Sequence, residues 1–175
     1  MSEESQKKKM SAPPTPDALR DIGLFGALSD DVLEFLVGAL PVVVFGAGDI
    51  VFRENEHARE MYVVLAGEVE VLKRGKRGSE ARVAILGPGD WFGEMSILDV
   101  QPRSATVLAV SPSRLLRITS ESLDALYRKD LKSYSLVVLN IARELSRRLR
   151  VADGIIADFV AHVLDEYVRN GKKPA

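Results

Sequence analysis

The stretch FGEMSILDVQPRSATV, Phe92 to Val107, holds the side chains best suited to chemistry. Gly93 and Glu94 open it, Met95 and Ser96 follow, and Arg103 stands between Pro102 and the small residues Ser104, Ala105 and Thr106. Arginine offers a planar fork that suits a phosphate better than lysine does. Gly93 lets a ligand approach the backbone closely. Ser104 and Ala105 are small enough for backbone N–H groups to reach the same anion. Met95 to Leu98 is predicted to form one helical turn, whose N-terminal N–H groups favour negative charge. Glu94 would repel a phosphate that it faced, so it is better used as an acceptor for sugar hydroxyls. Phosphate on arginine and amides, with ribose on a carboxylate, describes a nucleotide whose phosphate and ribose lie close together. A cyclic nucleotide fits.

The flanking sequence must position these groups. From Pro16 to Leu40 the pattern is helical: Leu19, Ile22, Leu24 and Phe25 cluster, Gly26 interrupts, and Ser29 caps a helix with Asp30 and Asp31 in its first turn. From Val42 to Thr119 short β-branched or alternating runs are separated by glycine turns, which predicts six to eight strands in a sandwich or rolled barrel. RGKRGSE reads as a hairpin tip with Arg74, Lys76 and Arg77 in water. Ser120 can cap the next helix. Beyond it, Val138, Ile141, Leu145, Leu149, Ala152, Ile156, Phe159 and Val163 form one apolar stripe at steps of three and four. Part of that stripe is expected to fold back on the roll and part to meet a partner helix in a homodimer. Gly154 marks an expected bend, and Asn170 and Gly171 the stop.

The predicted organisation is mainly β with flanking helices (α+β). It comprises a disordered tail over 1–16, a domain over 17–169 and a tail over 170–175. Within the domain, N-terminal helices occupy 17–40, a β-roll of double-stranded β-helix or jelly-roll type 41–119, and long C-terminal lid or dimer helices 120–169. Composition narrows function. The formal charge of -1 gives no general reason to bind nucleic acid or an anionic membrane. Cysteine is absent, and the two histidines, His57 and His162, lie far apart, so no metal site and no cysteine nucleophile is expected. Nor does any Ser-His-Asp set suggest itself, so no catalytic residue is assigned and no enzyme is expected. No apolar run is long enough to span a bilayer and the start lacks a secretory core, so a cytoplasmic location is expected.

With the motif placed in its frame, the stretch resembles the phosphate-binding cassette of the cyclic-nucleotide-binding domain family. That family takes in the regulatory subunits of protein kinase A and the ligand-binding domain of the bacterial catabolite activator protein; this chain is similar to a stand-alone bacterial-type module. The cassette reads roughly F-G-E-x-A-x-L, a few variable residues, then P-R-x-A-T-V. Phe92, Gly93, Glu94, Leu98, Pro102, Arg103, Ala105, Thr106 and Val107 match, and Ser96 stands where alanine is usual. GDIVFRENEHAREMYVVLAGEVEV and LGPGDWFGE are also family-like, with Asn55 in place of a usual glycine.

The resemblance implies a ligand-binding set of Gly93, Glu94, Met95, Ser96, Arg103, Ser104 and Ala105. Glu94 would take the ribose 2′-hydroxyl, Arg103 the cyclic phosphate, and backbone groups at Gly93, Ser104 and Ala105 would complete the phosphate site. It also places Ala152 and Asp153 as candidate purine contacts, within one chain or across a dimer. The ligand is expected to be cAMP rather than cGMP, with no cofactor, and the signal is expected to pass through the C-terminal helices to an unidentified downstream protein. Two alternatives stand beside this reading: a domain that has lost its ligand and serves as an interaction or dimerisation module, and a truncated relative of a DNA-binding transcription regulator. Only NGKKPA follows Arg169, so direct nucleic-acid binding is not expected. Trp91 is expected in the core rather than stacked on a base.

Overall fold

The computed structural model describes residues 9–75 and 78–171. In chain order the elements are β1 (Lys9–Ser11), α1 (Pro16–Arg20), a 3-10 turn (Gly23–Phe25), α2 (Asp30–Ala39), β2 (Val42–Phe45), β3 (Ile50–Phe52), β4 (Glu60–Ala66), β5 (Val69–Arg74), β6 (Glu80–Leu86), β7 (Trp91–Phe92), α3 (Met95–Leu98), β8 (Thr106–Ala109), β9 (Ser113–Thr119), α4 (Ser120–Lys129) and α5 (Leu131–Gly171). The chain divides into two compact units, with the boundary inside α5 between Val137 and Val138.

The first unit is built on two antiparallel sheets, one ordered β1-β2-β9-β4-β7 and the other β3-β8-β5-β6. Alternation along the strands turns one face of each sheet inward. The shared core holds Phe45, Phe52, Tyr62, Val64, Phe92 and Val107 among others. Tyr62 is central: its ring stacks on Phe92 at 5.6 Å between centroids and meets Phe45 edge-on at 6.5 Å. Its hydroxyl donates to Glu60 Oε1 at 2.5 Å, so burial and that carboxylate together push the phenol's pKa far up. The turn from β4 to β5 needs glycine. Gly67 has φ +83°, and a Cβ there would lie 2.4 Å from the carbonyl oxygen of Pro112.

Several boundaries differ from the sequence expectation. The tail over 1–16 is too long: Lys9–Ser11 pairs with Val42–Val44 as β1, and Arg114 on β9 donates from Nε to Ser11 Oγ at 3.2 Å and from Nη2 to the carbonyl oxygen of Ala12 at 2.9 Å. Pro16 already belongs to α1, whose first turn is capped by Thr15 Oγ1 accepting from Ala18 N. Thr119, not Ser120, caps α4, in a reciprocal box with Ser122. Ser120 instead turns back, its N–H and its hydroxyl each donating to the carbonyl oxygen of Arg59 at 3.0 Å. Helix α5 continues through Gly154 and through Asn170 to Gly171. Trp91 is buried, as a core residue should be. Of the expected hairpin tip, Lys76 and Arg77 lie outside the described residues, as do 1–8 and 172–175 of the two tails.

In the second unit, the apolar stripe of α5 is exposed from Leu149 onward: Leu149, Ile156, Phe159 and Val163 all lie open, Phe159 at 66%. No helix among the described residues is long and apolar enough to cross a membrane.

Candidate functional site

The cassette starts where β7 ends. Gly93 takes φ +83°, which swings the chain out of the sheet and into α3. A Cβ on Gly93 would sit 2.6 Å from Arg103 Nη1 and 3.3 Å from the carbonyl oxygen of Glu60, so this turn and the arginine are fitted to each other. Helix α3 forms over Met95–Leu98, matching the expected single turn, with the N–H groups of Ile97 and Leu98 donating to the Glu94 carbonyl at 3.0 and 3.1 Å. The return runs from Asp99 to Ala105 and joins β8.

Arg103 is held at both backbone ends by the loop after β3. Its N–H donates to the Glu56 carbonyl and its carbonyl accepts from the Asn55 N–H, each at 2.9 Å. Asn55 adopts φ +70°, the left-handed turn that asparagine tolerates. The side chain then runs inward and is only 3% exposed. Its guanidinium carbon lies 3.9 Å from the Phe52 ring centroid. Nη1 donates to the Glu60 carbonyl at 2.6 Å, the Gly93 carbonyl at 3.0 Å and Ser96 Oγ at 2.8 Å. Nε and Nη2 are buried with no acceptor among the described residues. Burial pulls the pKa of Arg103 down from the usual guanidinium value, while Tyr62, Glu60, Glu56 and Glu94 push it back up. An arginine in a protein keeps its proton. The site therefore contains a buried cation with one side pinned and the other edge, Nε–Nη2, unmatched among the described residues. A buried donor pair of this kind calls for an anion.

The structure brings the cassette residues together. Glu94 and Ser96 are buried at 4% and 3%, and Ala105 is buried too. Met95 and Ser104 are exposed, with Ser104 Oγ 3.7 Å from the Met95 sulfur. Ala152 and Asp153 belong to the second unit and are exposed on α5. Sequence reasoning missed four supports of the arginine and its loop. Phe52 underlies the guanidinium; the Glu60 carbonyl accepts from it; the Glu56 carbonyl accepts from the Arg103 backbone N–H; and Lys73 Nζ donates to the Ser104 carbonyl while pairing with Glu54 Oε1 at 2.6 Å. Lys73 holds the Glu54 carboxyl below its ordinary pKa, with the Arg74 N–H assisting. Among the described residues no group of three or more His, Cys, Asp or Glu could hold a metal ion.

A two-sheet roll whose one long connection buries an arginine fork beside a carboxylate defines a domain for small phosphorylated ligands. Comparison with known proteins makes this specific: residues 42–130, just over half of the chain, match the family model described as the cyclic nucleotide-binding domain, and the chain belongs to that family. It is 35% identical over 130 residues to the cyclic AMP receptor protein of Thermus thermophilus, covering 74% of this chain and 58% of the relative. It is 31% identical over 144 residues to a CRP-like cAMP-activated global transcriptional regulator of Mycobacterium tuberculosis, covering 82% of this chain and 62% of the relative. The chain thus spans about three fifths of the length of these curated relatives. The fold is that of a crystallised cyclic nucleotide-binding domain from Methylobacillus flagellatus, at a TM-score of 0.78 and 22% identity over 86% of this chain and 88% of that one.

Proposed function

We propose that this chain is a non-catalytic sensor that binds a cyclic nucleotide, cAMP in preference to cGMP, and relays occupancy through its C-terminal helices to a partner. The observation that carries the reading is the Nε–Nη2 edge of Arg103, buried and without a protein acceptor among the described residues. An exocyclic pair of phosphate oxygens matches that edge bidentately. Glu94 takes the ribose 2′-hydroxyl, the N–H groups of Gly93, Ser104 and Ala105 complete the phosphate site, and Met95 and Ser96 line it. The relatives named as a cyclic AMP receptor and a cAMP-activated regulator support cAMP as the ligand.

The relay requires a difference in affinity between two states, and a coupling of ~1–3 kcal/mol is ordinary. On the same reading α5 is the self-association surface. Leu149, Ala152, Ile156, Phe159 and Val163 follow a three-four alternation, which suits a second copy of the helix. Asp153 then accepts from the base edge. Calorimetric titration with cAMP and cGMP, with the mass in solution followed throughout, tests the proposal. Saturable binding with cAMP tighter than cGMP is expected. No heat with either ligand, alongside an intact dimer, would favour the interaction-module alternative.

A further inference from the structure

The Ser96 hydroxyl has a geometry that a lining residue does not need. It is 3% exposed, on α3, and donates to the Gly93 carbonyl at 3.0 Å. With its own hydrogen committed there, its lone pairs accept from Arg103 Nη1 at 2.8 Å. Nη1 carries two hydrogens. The Glu60 carbonyl at 2.6 Å takes one, and the other falls between the Gly93 carbonyl at 3.0 Å and the closer Ser96 oxygen. The two carbonyls belong to the backbone of β4 and to the end of β7. Ser96 is therefore the one side-chain acceptor on Nη1 among the described residues, carried by the cassette turn itself and added to the two carbonyls that hold the guanidinium.

We propose that Ser96 is a positioning residue: its hydroxyl, oriented by the Gly93 carbonyl, fixes Nη1 so that the Nε–Nη2 edge of Arg103 is presented to a cyclic phosphate. This rests on the cyclic-nucleotide reading above and adds how the site distinguishes the two exocyclic phosphate oxygens. Without the hydroxyl, Nη1 keeps the Glu60 and Gly93 carbonyls but loses its side-chain acceptor, so the fork is held by two contacts instead of three and its tilt loosens. The bond sits outside the base site, so both messengers feel its loss equally.

Ser96→Ala is compared with wild type by calorimetry with cAMP, cGMP and the two cAMP phosphorothioate diastereomers, in which sulfur replaces one or the other exocyclic oxygen. The expected loss is about three- to tenfold for both messengers, the span of one net hydrogen bond, with the diastereomer ratio moving towards unity. In the ligand-free protein, nitrogen-detected NMR should show the Arg103 Nη1 protons as resolved resonances in wild type and averaged by rotation in Ser96→Ala. An unchanged diastereomer ratio, or equal rotation in both proteins, would overturn the proposal, as would a fall in stability with neither readout altered. If wild type bound neither messenger, the proposed function would fall, while the NMR comparison would still decide the role of Ser96.

Discussion

The cassette and the second half of α5 break the usual rule of burial in opposite senses. In the cassette a guanidinium is inside, with one edge held by three protein oxygens and the other by none among the described residues. On α5 beyond Leu149 large apolar side chains are outside. A buried cation with donors left unmatched costs stability even with carboxylates nearby, and exposed apolar surface forgoes hydrophobic gain. Neither region is what folding alone would favour. Under the proposed function the contrast separates two kinds of surface: a polar one made selective by being buried and held rigid, and an apolar one that needs only a complementary face.

The largest effect that would break this contrast comes from Arg103→Ala. Each charge-assisted hydrogen bond lost is worth ~1.5–3 kcal/mol, so calorimetry should show cyclic-nucleotide affinity at least tenfold lower, with the oligomeric state of the ligand-free protein unchanged. Near-native affinity would remove the cassette from the mechanism. Gly93→Ala should come next. Its φ of +83° costs a side chain about 1–2 kcal/mol, and the added methyl would meet Nη1. Chemical denaturation should show the stability loss and titration a several-fold weaker ligand.

Phe159→Asp probes the other region. Because Phe159 is exposed within the chain, the stability of the dissociated chain should barely change, whereas removing an aromatic anchor should weaken self-association by about 2 kcal/mol or more in sedimentation. A variant that stays associated would clear this face of the role. The smallest effect is expected at Asp130, between α4 and α5, where Ser133 Oγ donates to Oδ2 at 2.7 Å and Lys132 N to Oδ1 at 3.0 Å. The Ser133 bond, with the Lys132 N–H, holds this carboxyl below its ordinary value. Its folded-state pKa is thus depressed: the stabilisation is present above the unfolded value of about 3.9 and lost as pH falls through the folded one. Denaturation midpoints of wild type and Asp130→Asn should accordingly differ at pH 7 and converge in acid.

Much of the fold is legible in the residue order because the code there is local. Strands β2 to β9 all fall within the predicted stretch, since β-branched alternation and glycine turns need no long-range information. Strand β1 was not legible: KMS is three residues long, too short for alternation to be a signal, and it becomes a strand only by pairing with β2. The cap of α4 was misplaced by one because Thr119 and Ser120 are both able hydroxyls, and only the partner Ser122 decides between them. At the site, the motif marked Glu94 and Arg103, but nothing in the sequence told which edge of the guanidinium would be free. The groups that decide it are mostly backbone carbonyls, at Gly93 and Glu60, which leave no trace in residue type. Ser96 was visible only as a departure from a pattern, and its hydroxyl gains meaning from a 2.8 Å contact.

The most direct test of the central claim is a crystal structure of the protein grown with cAMP. The expected result places the two exocyclic phosphate oxygens within hydrogen-bonding distance of Arg103 Nε and Nη2, with Nη1 still on Glu60, Gly93 and Ser96 and the 2′-hydroxyl on Glu94. A nucleotide bound elsewhere, or a phosphate that leaves the Nε–Nη2 edge untouched, would contradict it.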